Sequence, residues 1–76
     1  MKIKVYSTPT CPYCKMVKEY LSSKSISYED IDVSSNDALA EEMVKISGQM
    51  GVPVVVIDNQ AVVGFDKAKI ETLLDQ

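Results

Sequence analysis

Hydrophobic residues follow two different periods along the chain, and the changes of period divide it into strands and helices. Residues 2–6 and 28–33 alternate apolar with polar side chains, which predicts two strands. Residues 52–57 are almost continuously apolar, which is typical of a strand buried on both faces. A short polar turn separates this strand from residues 61–63, so we expect these two segments to form a hairpin.

Three other segments show the period of an α-helix. The first runs from Pro12 to about Lys24, and proline suits the first helical position because its missing N–H has no partner there. The second stops at Gly48, and Ser34, with an aspartate three residues later, resembles a capping box before it. Asp66 is the expected cap of the last helix. The first helix has Val17, Tyr20, Leu21 and Lys24 on one shared face. Leu39, Met43 and Ile46 mark the expected buried face of the second, and the last carries Ile70, Leu73 and Leu74.

The resulting order, β-α-β-α-β-β-α, indicates an α/β fold. The opening strand, helix and strand imply a parallel pair joined by a right-handed crossover, and the hairpin adds antiparallel strands. We therefore expect a single domain over residues 1–76, with a four-stranded mixed sheet flanked by three helices.

Composition and charge exclude several classes of protein. The net charge is −3 without any basic cluster, which argues against nucleic-acid binding. No apolar run approaches the roughly 20 residues of a membrane helix, and the start of the chain lacks the apolar core of a signal peptide. We expect a soluble, cytoplasmic monomer with no membrane partner. The chain contains no histidine, arginine or tryptophan, which removes the commonest general base and metal ligand.

Cys11 and Cys14 are the only cysteines, and three chemistries are consistent with a pair at this spacing. A structural disulfide would close a very small ring, which in chain-entropy terms contributes at most ~2 kcal/mol. A zinc site needs about four ligands. The chain offers two thiols and no histidine, so we expect no metal site within one chain. The third chemistry is reversible dithiol exchange.

The position of the pair at the start of a helix favours dithiol exchange. If Cys11 caps the helix, its sulfur faces unpaired amides and the positive end of the helix dipole, which stabilise a thiolate. Lys15 adds a nearby positive charge, and Pro12 fixes the turn. Cys14 should be more shielded, so Cys11 is the expected nucleophile and Cys14 the resolving thiol. A cysteine hydrolase needs a base that this chain lacks, whereas thiol exchange does not.

Three motifs together resemble the glutaredoxin family, whose members have a thioredoxin-like fold. The motifs are Cys11-Pro12-Tyr13-Cys14 after the first strand, Gly51-Val52-Pro53 before a later strand and Gly64-Phe65-Asp66 before the last helix. The resemblance covers nearly the whole chain. It implies an enzyme that reduces protein disulfides and glutathione mixed disulfides, with glutathione as the reducing co-substrate and no bound cofactor.

The resemblance also implies which residues bind glutathione. They are Tyr13, Gln49, Val52, Pro53, Gly64, Phe65 and Asp66. It implies a cis peptide bond before Pro53, and it pairs the backbone of Val52 with the cysteinyl part of glutathione. The amides of Phe65 and Asp66, together with the Asp66 carboxylate, would hold the γ-glutamyl end.

Simpler roles stay open for some of these residues. Asp66 could serve only as a helix cap, Phe65 only as a core residue and Tyr13 only as a solvent-facing residue. In the family, the position of Tyr13 lines the glutathione groove. Gln49 lies where relatives place a polar or basic residue for the glycyl carboxylate.

The chain departs from the family pattern near that carboxylate. Many glutaredoxins have a lysine three residues before the first cysteine, where this chain has Thr8. Asp66 is followed by Lys67 instead of a second acidic residue. An alternative is therefore a glutaredoxin-like redoxin that thioredoxin reductase reduces. A third hypothesis is a module in which Cys11 of two chains and glutathione bind an iron–sulfur cluster, although Pro12 is more typical of the redox enzymes.

Overall fold

The computed structural model of the chain describes residues 2–75, and its elements follow the predicted order. They are β1 (Ile3–Ser7), α1 (Pro12–Ser23), β2 (Glu29–Asp32), α2 (Asp37–Ser47), β3 (Val54–Ile57), β4 (Gln60–Val63) and α3 (Lys67–Leu74). The strands form one sheet in the order β2-β1-β3-β4. Strand β1 pairs parallel with β2 and antiparallel with β3, and β3 pairs antiparallel with β4. The predicted mixed sheet with three helices is confirmed.

The sheet separates two hydrophobic cores because alternate side chains of each strand point to opposite faces. Val5 and Val55 lie on the face covered by α1 and α3, and Tyr6 and Val54 lie on the face covered by α2. All four residues of β3 are buried, as the continuous apolar run predicts. The buried members of the first core are Ile3, Val5, Val17, Leu21, Val55, Ile57, Val62, Ile70 and Leu73. Those of the second are Tyr6, Ile31, Val33, Met43, Val54 and Val56.

Helix α1 begins where the sequence predicts, with Pro12 in its first turn and Cys11 as its N-cap. It ends one residue earlier than predicted. Lys24 is its C-cap and is exposed, whereas Val17 and Leu21, expected on the same face, are buried. Within residues 2–75, no helix is long and apolar enough to span a membrane.

Helix α2 is capped by a different residue from the one that the sequence pattern suggests. The side-chain oxygen of Asn36 accepts hydrogen bonds from the amides of Ala38 at 2.8 Å and Leu39 at 3.3 Å. The hydroxyl of Ser34 instead donates to the Asp32 carboxylate at 2.6 Å, so the predicted capping box was wrong. Ile46, expected to be buried, is 39% exposed at the last turn.

The hairpin between β3 and β4 is confirmed, with a tighter turn than predicted. Asp58 and Asn59 both have positive φ angles, 48° and 74°, as the two central residues of a type I′ turn require. Gln60 was expected in the turn, but it already pairs with Ile57 as the first residue of β4. Strand β3 begins at Val54 and not at residue 52, and residues 52 and 53 belong to the loop before it.

Candidate active site

The sulfur of Cys11 lies at the start of α1. Cys11 has an extended backbone, with φ −93° and ψ 112°, so its side chain folds back over the first turn of the helix. Its Sγ accepts a hydrogen bond from the amide of Cys14 at 3.1 Å. Both cysteines are free thiols, and the side chain of Cys11 is partly exposed. The backbone amide and the positive end of the helix dipole therefore face a sulfur that a substrate can reach.

Cys14 lies in different surroundings, because its side chain is fully buried. This burial, together with the hydrogen bond to Cys11, raises the pKa of the Cys14 thiol to about 11. A hydrogen bond with the Thr8 backbone and the charge of Lys18 lower that pKa, but by less. Cys14 is consequently a thiol at neutral pH, as its shielded position in the helix suggests.

The loop before β3 has the geometry that the glutaredoxin resemblance implies. The peptide bond between Val52 and Pro53 is cis, and Pro53 is buried. The carbonyl oxygen of Pro53 accepts a hydrogen bond from the amide of Gly64 at 2.8 Å. Gly64 has φ +74°, a left-handed conformation that glycine adopts without steric cost. The structure thus brings the second and third motifs together.

Asp66 and Phe65 have structural roles in this arrangement. The Asp66 carboxylate caps α3, and it accepts a hydrogen bond from the amide of Lys69 at 3.2 Å. The ring of Phe65 is half-buried against Tyr20, with centroids 5.9 Å apart in an edge-on arrangement. Asp66 remains exposed, so its carboxylate is accessible as well as bound to the helix.

Tyr13 and Gln49 have exposed side chains. Tyr13 is 61% exposed in the first turn of α1, which is consistent both with a residue that lines a groove and with a simple solvent-facing residue. Gln49 follows α2, where Ser47 accepts a hydrogen bond from its amide and donates one to its carbonyl. These bonds fix the backbone of Gln49, and its side chain lies beside Gly51.

A groove of about 370 Å³ opens on one side of Cys11. Lys15, the positive charge expected near the cysteines, is exposed and lines this groove. The groove also contains residues that the sequence did not indicate as functional, among them Lys18 and Tyr28. For Lys18 a signal was available, since it follows Cys14 by four residues and so shares its helix face. The other residues that line the groove are Thr8, Pro9, Glu19 and Ser22.

Among residues 2–75, no three histidine, cysteine, aspartate or glutamate side chains cluster as a metal site would require.

Comparison with known proteins places this geometry in a family. The glutaredoxin family model matches residues 3–62. The chain belongs to the glutaredoxin family. Among its glutaredoxin relatives, an uncharacterised glutaredoxin-like 8.6 kDa protein in the rubredoxin operon of Clostridium pasteurianum is 51% identical, over 97% of this chain and 99% of that protein. Glutaredoxin 3 of Escherichia coli (strain K12) is 42% identical, over 84% of this chain and 77% of that protein.

Solved structures confirm the thioredoxin-like fold of this glutaredoxin-family chain. The T8A mutant of the thioredoxin-like protein BC3987 superposes with a TM-score of 0.91 and 38% identity, covering 97% of this chain and 95% of that one. The fold and the family together identify a redox protein of the thiol oxidoreductase type.

Proposed function

We propose that this protein is a glutathione-dependent thiol–disulfide oxidoreductase that reduces protein disulfides and glutathione mixed disulfides. The observation that carries the proposal is the contrast between the two cysteines. Cys11 is partly exposed and accepts an amide hydrogen bond, whereas Cys14 is buried and remains a thiol. Pro12 contributes by holding the first turn of α1 in place, and Lys15 by adding positive charge.

The reaction follows from these positions. The Cys11 thiolate attacks one sulfur of the substrate disulfide, forms a mixed disulfide and releases the other sulfur as a thiolate. For a protein disulfide, Cys14 then loses its proton and attacks the Cys11 sulfur, which closes the Cys11–Cys14 disulfide and frees the substrate. Two glutathione thiols reduce that disulfide and become oxidised glutathione. For a glutathionylated substrate, the Cys11 thiolate attacks the glutathione sulfur and releases the substrate thiolate. A second glutathione then attacks the glutathione sulfur on Cys11, which regenerates the Cys11 thiolate and releases oxidised glutathione.

The proposed glutathione site lies where the second and third motifs meet. The hydrogen bond from the Gly64 amide to the Pro53 carbonyl joins the loop that contains Val52 to the segment that leads into α3. An extended tripeptide could pair with Val52 as a short added strand, with its γ-glutamyl end at Phe65 and Asp66. Tyr13 and Gln49 would border this glutathione site. Support comes from the buckwheat glutaredoxin–glutathione complex, a solved structure with TM-score 0.79 and 25% identity that covers 96% of this chain and 73% of that one.

A second candidate function is that of a redoxin reduced by thioredoxin reductase. Thr8, which replaces the lysine found in many glutaredoxins, favours it because the glycyl carboxylate of glutathione then has no lysine partner at that position. The glutaredoxin-like protein NrdH of Lactococcus lactis also supports it, since it is 31% identical over 93% of this chain and 97% of that protein. The two functions share the same dithiol chemistry and differ in the reductant.

A coupled assay separates the two reductants. The protein is supplied either with glutathione and glutathione reductase or with thioredoxin reductase, and NADPH consumption is followed with a small glutathione mixed disulfide or a protein disulfide as substrate. Turnover with glutathione supports the first proposal. Turnover with thioredoxin reductase alone supports the second.

Two variants test the roles of the cysteines in the same assay. Cys11→Ser should abolish turnover of both substrates, because it removes the nucleophile. Cys14→Ser should keep activity toward the glutathione mixed disulfide and lose protein-disulfide reduction. Full turnover by Cys11→Ser with either reductant would overturn the dithiol mechanism.

A further inference from the structure

Three polar side chains from three elements meet beside the cysteine pair. The Lys18 ammonium on α1 lies 3.0 Å from a carboxylate oxygen of Asp30 on β2. The other Asp30 oxygen accepts a hydrogen bond from the hydroxyl of Ser7 at 2.8 Å. Ser7 is the last residue of β1, and its side chain is almost fully buried. Asp30 therefore holds Lys18 near the last residue of β1. The chain continues from this residue to Cys11.

Lys18 is well placed to act on Cys14. The two residues are one turn apart on α1, where side chains four residues apart lie on the same helix face. The side chain of Lys18 is only 27% exposed, so water screens its charge less than that of a fully exposed lysine. Lys18 also lines the groove on one side of Cys11.

We propose that Lys18, held in place by Asp30 and Ser7, is a positioning residue that promotes attack by Cys14 on the mixed disulfide. The inference rests on the dithiol mechanism proposed above. In that step Cys14 gives its proton to solvent, and its thiolate bonds to the Cys11 sulfur. The bond from Cys11 to the partner sulfur breaks, and the partner leaves as a thiolate. Lys18 gains and loses no atoms, and its positive charge stabilises the thiolate of Cys14.

The charged groups around Cys14 give the sign of this effect. Burial and the Cys11 thiol raise the pKa of Cys14, while Lys18 and the Thr8 backbone lower it. From β2, the carboxylates of Asp30 and Asp32 face Lys18 and offset part of its charge. Hydrogen bonds from Ser34, with a smaller contribution from Lys18, hold the pKa of Asp32 below its ordinary value. Removing the positive charge should leave less Cys14 thiolate at any neutral pH.

A two-phase exchange reaction tests the role of Lys18. The reduced protein reacts with one equivalent of an aromatic disulfide whose thiolate is coloured. Attack by Cys11 releases the first thiolate in a phase that depends on concentration, and attack by Cys14 releases the second in a phase that does not. In Lys18→Met the second phase should slow roughly twofold to fourfold, because fewer thiolates form but each is more nucleophilic. The first phase should change much less.

Matched variants separate charge from packing. Lys18→Arg keeps the charge and should keep the rate of the second phase, whereas Lys18→Met keeps an unbranched apolar side chain without the charge. Lys45→Met removes an exposed lysine from α2 and should leave both phases unchanged. In a Cys11→Ser background, carbon NMR of the Cys14 side chain should show its titration moving to higher pH when Lys18→Met is added. A role in packing alone would not move it.

The outcomes distinguish this inference from the proposed function. If the wild-type protein shows no second phase, the dithiol mechanism fails, and the role of Lys18 fails with it. If the wild type shows both phases and Lys18→Met leaves the second unchanged, only the role of Lys18 is overturned. Equal slowing in Lys18→Arg and Lys18→Met would also overturn it, because charge would then not matter.

Discussion

Cys11 and Cys14 differ in reactivity because the folded structure leaves the first partly exposed and buries the second. The helix start gives Cys11 its amide hydrogen bond, and this interaction is local. The burial of Cys14 depends on the rest of the fold, and it is the largest cause of the raised pKa. The spacing of the two cysteines therefore predicts which thiol is exposed. How deeply the other thiol is buried follows only from the packing of the folded chain.

Tyr6 forms another buried polar contact, and its removal has a predictable cost. Its hydroxyl donates a hydrogen bond to the Glu42 carboxylate at 3.0 Å from a fully buried ring. We expect Tyr6→Phe to lower the free energy of unfolding by about 1–2 kcal/mol at pH 7, since one hydrogen bond to a charged acceptor is lost. Denaturant unfolding measures the change. Tyr13→Phe, at an exposed tyrosine, is the control and should unfold like wild type.

The same contact gives a pH dependence. Burial, followed by the hydrogen bond to Glu42, raises the pKa of Tyr6 from 10.0 to about 12. The folded protein then holds this proton more tightly than the unfolded chain, so the stabilisation is complete below pH 10 and is lost as pH rises from about 10 to 12. Tyr6→Phe should lack this part of the alkaline loss. An identical pH dependence in both proteins would contradict the assignment.

Each helix of the fold begins with a different kind of cap. Cys11 caps α1 with sulfur, Asn36 caps α2 with an amide oxygen and Asp66 caps α3 with a carboxylate. Only the first cap supplies a reacting atom, while Asp66 also belongs to the proposed glutathione site. The others hold helices whose placement forms the two cores and positions the loop at Gly64.

The contribution of the Asn36 cap to the stability of α2 can be measured by substitution. We expect Asn36→Ala to lower the free energy of unfolding by about 1 kcal/mol, because the amides of Ala38 and Leu39 lose their acceptor. Asn36→Asp keeps an accepting oxygen at the positive end of the helix and should stay close to wild type. Denaturant unfolding compares the three proteins. Equal losses in both variants would show that the cap oxygen is not what stabilises α2.

The sequence predicts the existence of α2 well and its start poorly, for a physical reason. Ser34 and Asn36 are both favoured at helix caps, and they lie within three residues of each other. Asp32 decides between them, because its carboxylate binds the amide and hydroxyl of Ser34. The end of the helix is clear in the sequence because Gly48 adopts a left-handed conformation, with φ 78°.

At the scale of the molecule, local patterns predict the layers but not the contacts between distant residues. Strand periodicity and the crossover rule predict the mixed sheet. The cis bond before Pro53 follows only from family resemblance, since X-Pro bonds are usually trans. The ion pair of Lys18 with Asp30 was missed because it joins two elements whose relative positions only the folded chain defines.

Two adjacent valines of β3 test whether the two cores unfold together. Val55 is buried in the core beneath α1 and α3, and Val56 is buried on the opposite face beneath α2. Either substitution by alanine should lower the free energy of unfolding by roughly 1–3 kcal/mol, because each leaves a cavity. Val63→Ala, at a 42% exposed position of β4, is the control and should cost much less.

The shape of the unfolding transition shows whether the two cores depend on each other. The two cores lie on opposite faces of one four-stranded sheet, so the loss of either removes support from the other, and we expect a single transition in every variant. Far-UV circular dichroism follows the helices, and fluorescence follows all four tyrosines, among them Tyr6 in one core and Tyr20 beside the other. The two signals should coincide. If Val56→Ala separated them, α2 would unfold independently, and the loop that leads from it to Pro53 would lose its support before the cysteine pair did.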